Sequence, residues 1–309
     1  MINNIEKLLS SVNQKLLKFF EENLITIIPE DKIIKLEPHI GEGSFGKVYK
    51  GLYNDNYVAI KKLKLVTNID SNAESIIQEI KGVVKIKHQR IPTFHGVWKT
   101  SKYLHLIFDF IDGDTLTKFI PTLTLEEKLN ISIQLVEIIE KLHDENLIHR
   151  DLKPGNIMIM KGKVYIIDFG LSKIAIHTQT GTKHRSGTLP YMGPENYIDV
   201  VDTTNTTQNF IKISTKFDIW SIGCILSYLF SKIQPWGDKT SETTIIMKLT
   251  LRKKFPIPDV IPKELKDILK HCFEIKIENR ISAKELLPKL LELSEKKVFS
   301  NGNDGNHKK

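Results

Sequence analysis

Five charged, ionisable or amide side chains lie between two apolar runs in the segment LIHRDLKPGNIMI, which spans residues 147–159. Burying such groups is costly unless they are paired, hydrogen-bonded or bound to a ligand. The segment is therefore either a buried polar network that stabilises a turn or a catalytic loop. Asp151 is a candidate acceptor for the proton of a hydroxyl group. Asn156, five residues further on, offers an amide oxygen of the kind that binds Mg²⁺.

A second carboxylate follows in the segment VYIIDFG, where Asp168 ends an apolar strand and a glycine two residues later permits a sharp turn. Mg²⁺ is usually held by one or two carboxylates together with substrate phosphates. Taken alone, Asp168 is equally compatible with an ordinary turn residue, and Asn156 with a cap at the start of a strand. The joint order of these residues favours a metal and phosphate site.

The segment IGEGSFGKVYKG carries Gly41, Gly43 and Gly46, with Val48 two residues after the third glycine. Glycines without a Cβ let backbone N–H groups approach phosphate oxygens. A single motif of this kind is weak evidence, because a glycine-rich hairpin turn has the same pattern. The segment therefore needs support from elsewhere in the chain.

That support comes from VAIK, which ends at Lys61. Ala59 and Ile60 are apolar, so the strand is predicted to be half-buried, and a lysine there can reach phosphates as a point charge. A buried lysine needs an anionic partner, and Glu79 in SIIQEIKGVVKI is the candidate. The alternatives are an exposed strand lysine and a glutamate on a helix surface, paired with a nearby lysine.

Hydrophobic periodicity predicts the elements that position these residues. Strands are expected within residues 40–64, in KYLHLIFDFI, in IMIM and in VYIID, and helices over 4–22, 73–87, 125–145, 217–230, 243–251, 263–273 and 283–293. A strand-rich segment followed by a helix-rich segment indicates two lobes with a connector near residues 109–113. Residues 203–209 are expected to form an exposed loop.

Composition excludes several classes of protein. The chain has 309 residues, a net charge of +8 and only two cysteines, in apolar segments that are expected to be helical. The lysines are scattered, so no nucleic-acid partner is expected. The longest apolar run, residues 219–230, is too short to cross a bilayer, and the N-terminus lacks the apolar core of a signal peptide. We therefore expect a cytoplasmic protein without membrane attachment.

Taken together, these motifs closely resemble the eukaryotic-type protein kinase family over residues 34–293. The resemblance implies an α+β, bilobal fold with a small β-rich N-lobe, containing one main helix, and a larger, mostly helical C-lobe. It implies a kinase domain at 34–295, divided into lobes at 34–110 and 111–295. An N-terminal helical extension at 1–33 and a disordered tail at 296–309 would flank it.

The resemblance also implies roles for individual residues, with ATP and Mg²⁺ as cofactors and Mn²⁺ as an alternative ion. Asp151 would act as base or hydroxyl-orienting residue, helped by Lys153 and Thr188, while Asn156 and Asp168 would bind the metal. The residues expected at ATP are Ile40, Gly41, Gly43, Gly46, Val48, Ala59, Lys61, Glu79, Phe108, Asp109, Ile111 and Met158. Among these, Phe108 would close the back of the adenine pocket, residues 109–111 would form the hinge and Met158 the pocket floor.

The segment GTLPYMGPEN resembles the end of a kinase activation loop, with Gly193 where the family usually has alanine. Glycine is expected to add flexibility there without preventing folding. In the family, the glutamate of this segment, which matches Glu195, pairs with an arginine near the C-terminal end of the domain. The matching arginine here would be Arg280. Asp218 and Trp220 match the buried central helix.

The catalytic loop resembles the Ser/Thr type because Lys153 follows Asp151 by two residues, and Thr188 would favour a serine or threonine hydroxyl. The late segment resembles the tyrosine-kinase-like group of Ser/Thr kinases. Arg150 is a candidate sensor for a phosphate on the activation loop. The candidate phosphorylation sites are Ser172, Thr178, Thr180, Thr182 and Ser186; these hydroxyls could equally serve only solubility.

The function implied is transfer of the γ-phosphoryl group of ATP to serine and threonine hydroxyls of protein substrates. A pseudokinase or scaffold is the main alternative, although no catalytic residue is missing. A small-molecule phosphotransferase usually lacks the GTLPYMGPE segment. The N-terminal helix is expected to pack on one lobe; partner binding, self-association and a membrane interface are its alternatives.

Overall fold

The computed structural model describes residues 14–43, 46–64, 76–77, 80–84, 86–100, 102–169, 173–174, 187–197 and 214–296. The chain forms two compact units. Unit 1 comprises Met1–Asp112 and Ile166–Gly170, and unit 2 comprises Gly113–Tyr165 and Leu171–Lys309. The division after Asp112 falls in the segment where the sequence predicts the connector.

Unit 1 is built on a six-stranded antiparallel sheet. Its strands are β1 Ile33–Lys35, β2 Gly41–Gly43, β3 Gly46–Tyr53, β4 Asn56–Lys64, β5 Phe94–Lys99 and β6 Tyr103–Asp109. The order is β1-β3-β4-β6-β5, with β2 paired to β3. A tight turn at Asn54 and Asp55, which both have positive φ, joins β3 to β4.

Side chains alternate between the two faces of this sheet, and each face carries its own buried cluster. One face presents Leu63, Leu104 and Leu106 to a first cluster. The opposite face presents Ile60 and Ile107 to a second. The sheet of unit 1 is therefore covered on both sides.

Two helical segments of unit 1 belong to the first cluster. Residues 14–22 form helix α1, and residues 76–77 and 80–84 are the described parts of helix α2. Leu16 and Phe20 of α1 are 1% exposed and Ile80 of α2 is 0% exposed. Helix α1 therefore packs within unit 1, as the sequence predicts for its apolar face.

Unit 2 is mostly helical. Its helices are α3 Leu116–Phe119, α4 Leu125–Asp144, α5 Lys216–Ser231, α6 Glu242–Thr250, α7 Lys263–Cys272 and α8 Ala283–Glu295. Short strands are β7 Asp114–Thr115, β8 Leu147–Ile148, β9 Ile157–Met160, β10 Lys163–Ile166 and β11 Lys173–Ile174. The last residue of β10, Ile166, belongs to unit 1. Strands β10, β9 and β7 form one small sheet, and β11 pairs with β8. The α+β fold predicted from the sequence is confirmed.

Local sequence signals explain where the long helices begin. Thr124 and Glu127 form a capping box at the start of α4, and Ser282 and Glu285 form another at the start of α8. Each box satisfies backbone N–H groups that have no partner within the helix. The backbone N–H of Lys296 donates to Glu292 O at the end of α8, so residue 296, which the sequence assigns to a disordered tail, is a helix cap. The rest of the predicted tail lies outside the described residues.

Helix α5 is buried on all sides, and both Asp218 and Trp220 are 0% exposed. Cys224 on α5 and Cys272 on α7 are free, buried thiols. Burial raises the pKa of Cys272 to about 12. Among the helices of the described part, none is both long and apolar enough to cross a membrane.

Gly223 lets α5 and α7 approach closely. A Cβ at this position would lie 2.9 Å from Cys272 Cβ and 3.0 Å from two ring carbons of Phe273. We predict that Gly223→Ala lowers the free energy of unfolding by up to ~2 kcal/mol. Overpacking costs about 1–3 kcal/mol, and the better helix propensity of alanine returns only about 1 kcal/mol.

Denaturant unfolding would measure the effect. The matched control is Gly155→Ala, because a Cβ there meets no atom of the described residues within 4 Å. Equal stability of the two variants would contradict the close packing of α5 against α7.

Candidate active site

The loop after β8 in unit 2 is anchored by the carboxylate of Asp218. Its Oδ2 accepts a hydrogen bond from the backbone N–H of His149 at 2.9 Å, and its Oδ1 accepts one from Arg150 at 2.8 Å. The ring Nε2 of His143, on α4, also lies 2.9 Å from Oδ2. A buried carboxylate on the central helix therefore holds the backbone immediately before Asp151.

Asp151 is the centre of a hydrogen-bonded network in the same unit. Thr188 Oγ1 donates to Asp151 Oδ1 at 2.7 Å and accepts from Lys153 Nζ at 2.8 Å. Lys153 Nζ also lies 3.1 Å from Asp151 Oδ2. Asn156 Nδ2 donates to the backbone oxygen of Asp151 at 2.8 Å and to Oδ2 at 3.1 Å. Four predicted residues are thus brought together.

The network leaves the amide oxygen of Asn156 available and fixes the orientation of the Asp151 carboxylate. Asn156 uses its amide nitrogen on Asp151, so its amide oxygen is the group available to accept or to bind a cation. Asp151 is 5% exposed, and its carboxylate is held from two directions by Thr188 and Lys153. Preorganised groups of this kind need little rearrangement when a substrate binds.

Burial and hydrogen bonding have opposite effects on the pKa of Asp218. Burial alone would raise the pKa of Asp218, but the hydrogen bond and charge of His143 and the backbone N–H of Arg150 bring that pKa below its ordinary value. The Arg150 guanidinium is also buried, which lowers its pKa to about 10 against the opposing effect of Asp218. Asp218 is therefore ionised at neutral pH.

In unit 1, four of the residues predicted at ATP share one face of the sheet. Val48 pairs with Lys61 across β3 and β4, and Lys61 pairs with Leu106 across β4 and β6. Ala59, two residues before Lys61, pairs with Phe108 across β4 and β6.

 Because side chains alternate along a strand, Val48, Ala59, Lys61 and Phe108 all point to the same side of the sheet. The face that carries them is also the face of the first buried cluster.

Lys61 forms an ion pair within unit 1. Its Nζ lies 2.6 Å from Asp168 Oδ1, although the two residues are 107 positions apart in the chain. Lys61 is 9% exposed, and Asp168 has a left-handed backbone with φ 63°. Arg150 in unit 2 is also left-handed, with φ 70°. Such conformations are uncommon for non-glycine residues and concentrate at functional sites.

Gly41 and Gly46 of the glycine-rich segment are surrounded differently. Gly46 has φ 129°, and a Cβ there would lie 2.2 Å from the backbone oxygen of Lys62, so the fold itself demands glycine. A Cβ at Gly41 would meet no atom of the described residues within 4 Å. The described residues therefore leave space beside Gly41 for the predicted phosphate. Ile40, just before it, is 55% exposed.

Asp109, the first residue of the predicted hinge, is held by hydrogen bonds within unit 1. The Asp109 carboxylate accepts from the backbone N–H of Thr93 at 2.9 Å and lies 2.7 Å from Nε2 of His95. Burial tends to raise the pKa of Asp109, but the hydrogen bonds from Thr93 and His95 lower it overall. Ile111 is half-buried at the end of unit 1, and Met158 is half-buried on β9 of unit 2.

The predicted pair between Glu195 and Arg280 is present and bidentate. Both guanidinium nitrogens lie 2.8 Å from carboxylate oxygens of Glu195, and Arg280 is 0% exposed. The Glu195 carboxylate lies over Gly193, where a Cβ would be 2.4 Å from Oε1. Gly193 has an ordinary extended backbone with φ −80°, so it makes room for the carboxylate in this structure.

Some predicted residues lie outside the described part of the chain, so the structure does not place them. They are Glu79, Ser172, Thr178, Thr180, Thr182 and Ser186. In contrast, sequence reasoning missed His143 and His95, which contact Asp218 and Asp109. A histidine on the otherwise apolar side of a predicted helix was the available signal for His143.

Comparison with known proteins identifies the family. The sequence profile described as "Protein kinase domain" matches residues 34–290. The chain belongs to the protein kinase family. This assignment confirms the resemblance predicted from the sequence and covers both units of the kinase fold.

Several relatives are serine/threonine or MAP kinase kinase kinase proteins. The kinase is 29% identical over 266 residues to MAP3K epsilon protein kinase 1 of Arabidopsis thaliana, covering 83% of this chain and 18% of the relative. It is 34% identical over 205 residues to serine/threonine-protein kinase MPS1 of Encephalitozoon cuniculi, covering 65% and 33%. It is 30% identical over 257 residues to human mitogen-activated protein kinase kinase kinase 4, covering 80% and 15%.

The chain thus spans a third or less of the length of these relatives. The resemblance to serine/threonine kinases is confirmed. Membership of the tyrosine-kinase-like group stays a prediction.

We predict that Arg280→Ala lowers the free energy of unfolding by about 3–5 kcal/mol, because it leaves the Glu195 carboxylate partly buried and without its ionic partner. The control is Lys118→Ala, which breaks a pair with Asp114 whose side chains are 69% and 53% exposed. Exposed pairs of this kind contribute about 0–1 kcal/mol. Chemical denaturation of both variants measures the difference, and similar losses would refute the structural role of the buried pair.

A second prediction concerns acid stability. The pKa of Asp218 is lowered by folding, so its contribution to stability is present above its unfolded pKa of about 3.9 and is lost as pH falls through the folded value. His143→Leu removes a contact that lowers this pKa. Acid unfolding of the variant should therefore begin at a higher pH than in the wild type.

Circular dichroism during acid titration measures this midpoint. His271→Leu is the control, because His271 is exposed on α7. His143→Gln, which can still donate a hydrogen bond, should give an intermediate midpoint. Superimposable titrations of His143→Leu and His271→Leu would exclude the proposed coupling.

Proposed function

We propose that this chain is a protein serine/threonine kinase that transfers the γ-phosphoryl group of ATP, in the presence of Mg²⁺, to hydroxyls of protein substrates. The observation that carries the proposal is the contact of Thr188 with both Asp151 and Lys153. Thr188 Oγ1 donates to the carboxylate at 2.7 Å and accepts from the ammonium group at 2.8 Å. This arrangement joins the catalytic loop to the segment that closes the activation loop.

Asp151 is the proposed acceptor for the proton of the substrate hydroxyl. Its backbone is fixed through the Asp218 anchor, and its carboxylate is oriented by Thr188 and Asn156. A positioned carboxylate favours the hydroxyl orientation in which an oxygen lone pair faces the phosphorus. Positioning of this kind, rather than a strongly basic group, supplies most of the catalysis in phosphoryl transfer.

Lys153 and Lys61 are the proposed phosphate contacts. Lys153 carries its charge next to Asp151, where it can stabilise charge that develops on the transferred group. Lys61 is held on the sheet of unit 1 next to Asp168. Point charges in such partly buried positions act more strongly than in water.

Oxygen ligands for Mg²⁺ are present in each unit. Asp168 offers a carboxylate, and Asn156 offers an amide oxygen because its nitrogen is already used. These are the donor types that Mg²⁺ prefers, alongside phosphate oxygens. When bound, ATP with its metal ion supplies the phosphoryl group and a neutralising charge for it.

Regulation by phosphorylation of the activation loop is part of the proposal. Arg150 is buried beside the anchored backbone of the catalytic loop, so a phosphate that reached its guanidinium would act directly on that loop. The relatives named as MAP kinase kinase kinases support a signalling role. Protein substrates and a cytoplasmic location stay predictions.

The test is a kinase assay with radiolabelled ATP, Mg²⁺ and a generic protein substrate. We predict that Asp151→Asn and Asp168→Asn each lower kcat by about 100-fold or more, because each removes a charge that the reaction requires. Lys118→Ala, an exposed change in unit 2, should leave the rate unchanged.

Phosphoamino-acid analysis of the product should show phosphoserine and phosphothreonine. Retention of nucleotide binding without any difference between wild type and Asp168→Asn in phosphate transfer would favour the pseudokinase alternative. Phosphotyrosine as the main product would overturn the serine/threonine assignment.

A further inference from the structure

Strand β5 contains an irregularity close to the end of β6. Phe94 of β5 pairs with Phe108 of β6. The next pair joins Gly96 to Ile107, which leaves His95 as an extra residue without a partner in the ladder. An extra residue of this kind forms a β-bulge, which bends the strand and changes the direction of a side chain. The bulge therefore releases His95 from the regular pairing of the two strands.

A neighbouring segment of unit 1 fixes the bulge along the outer edge of β5. Gly96 has φ 142°, and a Cβ there would lie 2.3 Å from the backbone oxygen of Thr26. The backbone N–H of Val97 donates to the same oxygen at 2.9 Å. The extended chain at Thr26 thus lies directly against the bulge, and position 96 requires glycine.

His95 contacts Asp109, the last residue of β6. Its Nε2 lies 2.7 Å from Asp109 Oδ1. At neutral pH the carboxylate is ionised and only accepts hydrogen bonds, so Nε2 of His95 is the donor. The ring centroids of His95 and Tyr53 are 6.0 Å apart. The imidazole is therefore held by two contacts, of which one is a hydrogen bond to the end of β6.

Thr93 completes the connection between the start of β5 and the end of β6. Its backbone N–H donates to Asp109 Oδ2 at 2.9 Å, and its backbone oxygen accepts from the Asp109 N–H at 3.0 Å. Together with His95, Thr93 fixes both the backbone and the carboxylate of Asp109. The side chains of His95 and Asp109 are 31% and 43% exposed, so solvent partly screens their interaction and its strength is moderate.

Phe110, the next residue of the predicted hinge, is held by separate contacts. Its backbone N–H donates to Tyr57 O at 3.4 Å. Lys50 Nζ lies 4.4 Å from the ring centroid of Phe110 and 3.9 Å from that of Tyr57. Loss of the His95 contact would therefore loosen Asp109 without releasing the residue that follows it.

We propose that His95 is a positioning residue for nucleotide binding, acting through Asp109. The inference rests on the proposed function and on the predicted hinge, in which backbone groups of residues 109–111 contact the adenine. A hinge backbone that is already held in one conformation loses less conformational entropy when the nucleotide binds. His95 lies outside the motifs by which the sequence resembles the kinase family.

Calorimetric titration of the full chain with ADP and Mg²⁺ tests the inference without requiring catalysis. His95→Phe keeps a ring next to Tyr53 but loses the donor, and it should weaken ADP binding by about fivefold because a partly exposed hydrogen bond to a charged group is lost. His95→Gln keeps a donor and should stay within about twofold of the wild type. The control, His271→Phe, removes an exposed histidine of α7 and should leave the affinity unchanged.

A double-mutant cycle shows whether His95 acts through Asp109. Asp109→Ala should weaken ADP binding by itself, and the addition of His95→Phe should cause no further loss. Additive losses would mean that His95 affects the nucleotide by another route, and they would overturn the inference. Equal affinity of the wild type and His95→Phe would also overturn it. If circular dichroism shows that His95→Phe does not fold, His95→Leu replaces it, because leucine also lacks a donor.

Steady-state kinetics should show the same effect as a change in KM. His95→Phe should raise KM for ATP by a similar factor and leave kcat within about twofold, because it weakens binding of the nucleotide without removing a group that acts in the transition state. A fall in kcat with unchanged KM would contradict a role in nucleotide positioning.

Hydrogen exchange measures the contact itself. The amide of Asp109, which is bonded to Thr93, should exchange faster in His95→Phe than in the wild type, whereas the amide of Ile60 in β4 should be unaffected. Unchanged exchange at Asp109 would refute the positioning role. A wild type that protects this amide but does not bind ADP would instead refute the proposed function, so the two failures are distinguishable.

Discussion

The buried carboxylate of Asp218 is the constraint on which the candidate active site of unit 2 depends. Removing a carboxylate from water costs several kcal/mol even after the protein relaxes. Each hydrogen bond to a charged group stabilises the folded state by roughly 1.5–3 kcal/mol. Asp218 accepts hydrogen bonds from the backbone N–H groups of His149 and Arg150, and it also contacts the ring of His143. Together these contacts offset a cost of that size, and they tie the backbone before Asp151 to the central helix.

In unit 1, the candidate site depends on the alternation of side chains along antiparallel strands. It places the candidate nucleotide residues Val48, Ala59, Lys61 and Phe108 on one face and the cluster containing Ile28 on the other. Residues 14–33 contribute to the cores of both faces, through Leu16 and Phe20 on one and Ile28 and Ile33 on the other. A segment outside the recognisable kinase motifs is thus continuous with the core that supports Lys61.

Sequence patterns predicted most helices within a residue or two because capping signals and 3.6-residue periodicity are local. Helix α4 was expected at 125–145 and is observed at Leu125–Asp144. The same patterns could not show that Gly46 is demanded by the backbone of Lys62, or that Gly193 lies beneath the carboxylate of Glu195. Those requirements come from residues that are distant in the sequence or from side-chain placement. The pairing of His143 with Asp218, 75 positions apart, escaped prediction for the same reason.

The sequence by itself determined the family, the succession of a strand-rich and a helix-rich segment, and the types of residue available for phosphate and metal chemistry. These follow from local composition, spacing and motif order. Tertiary structure alone decided which of those groups touch: Thr188 bridges Asp151 and Lys153, and Lys61 pairs with Asp168. Such contacts depend on how buried faces pack, because an apolar side chain specifies that it will be buried but not against which neighbour.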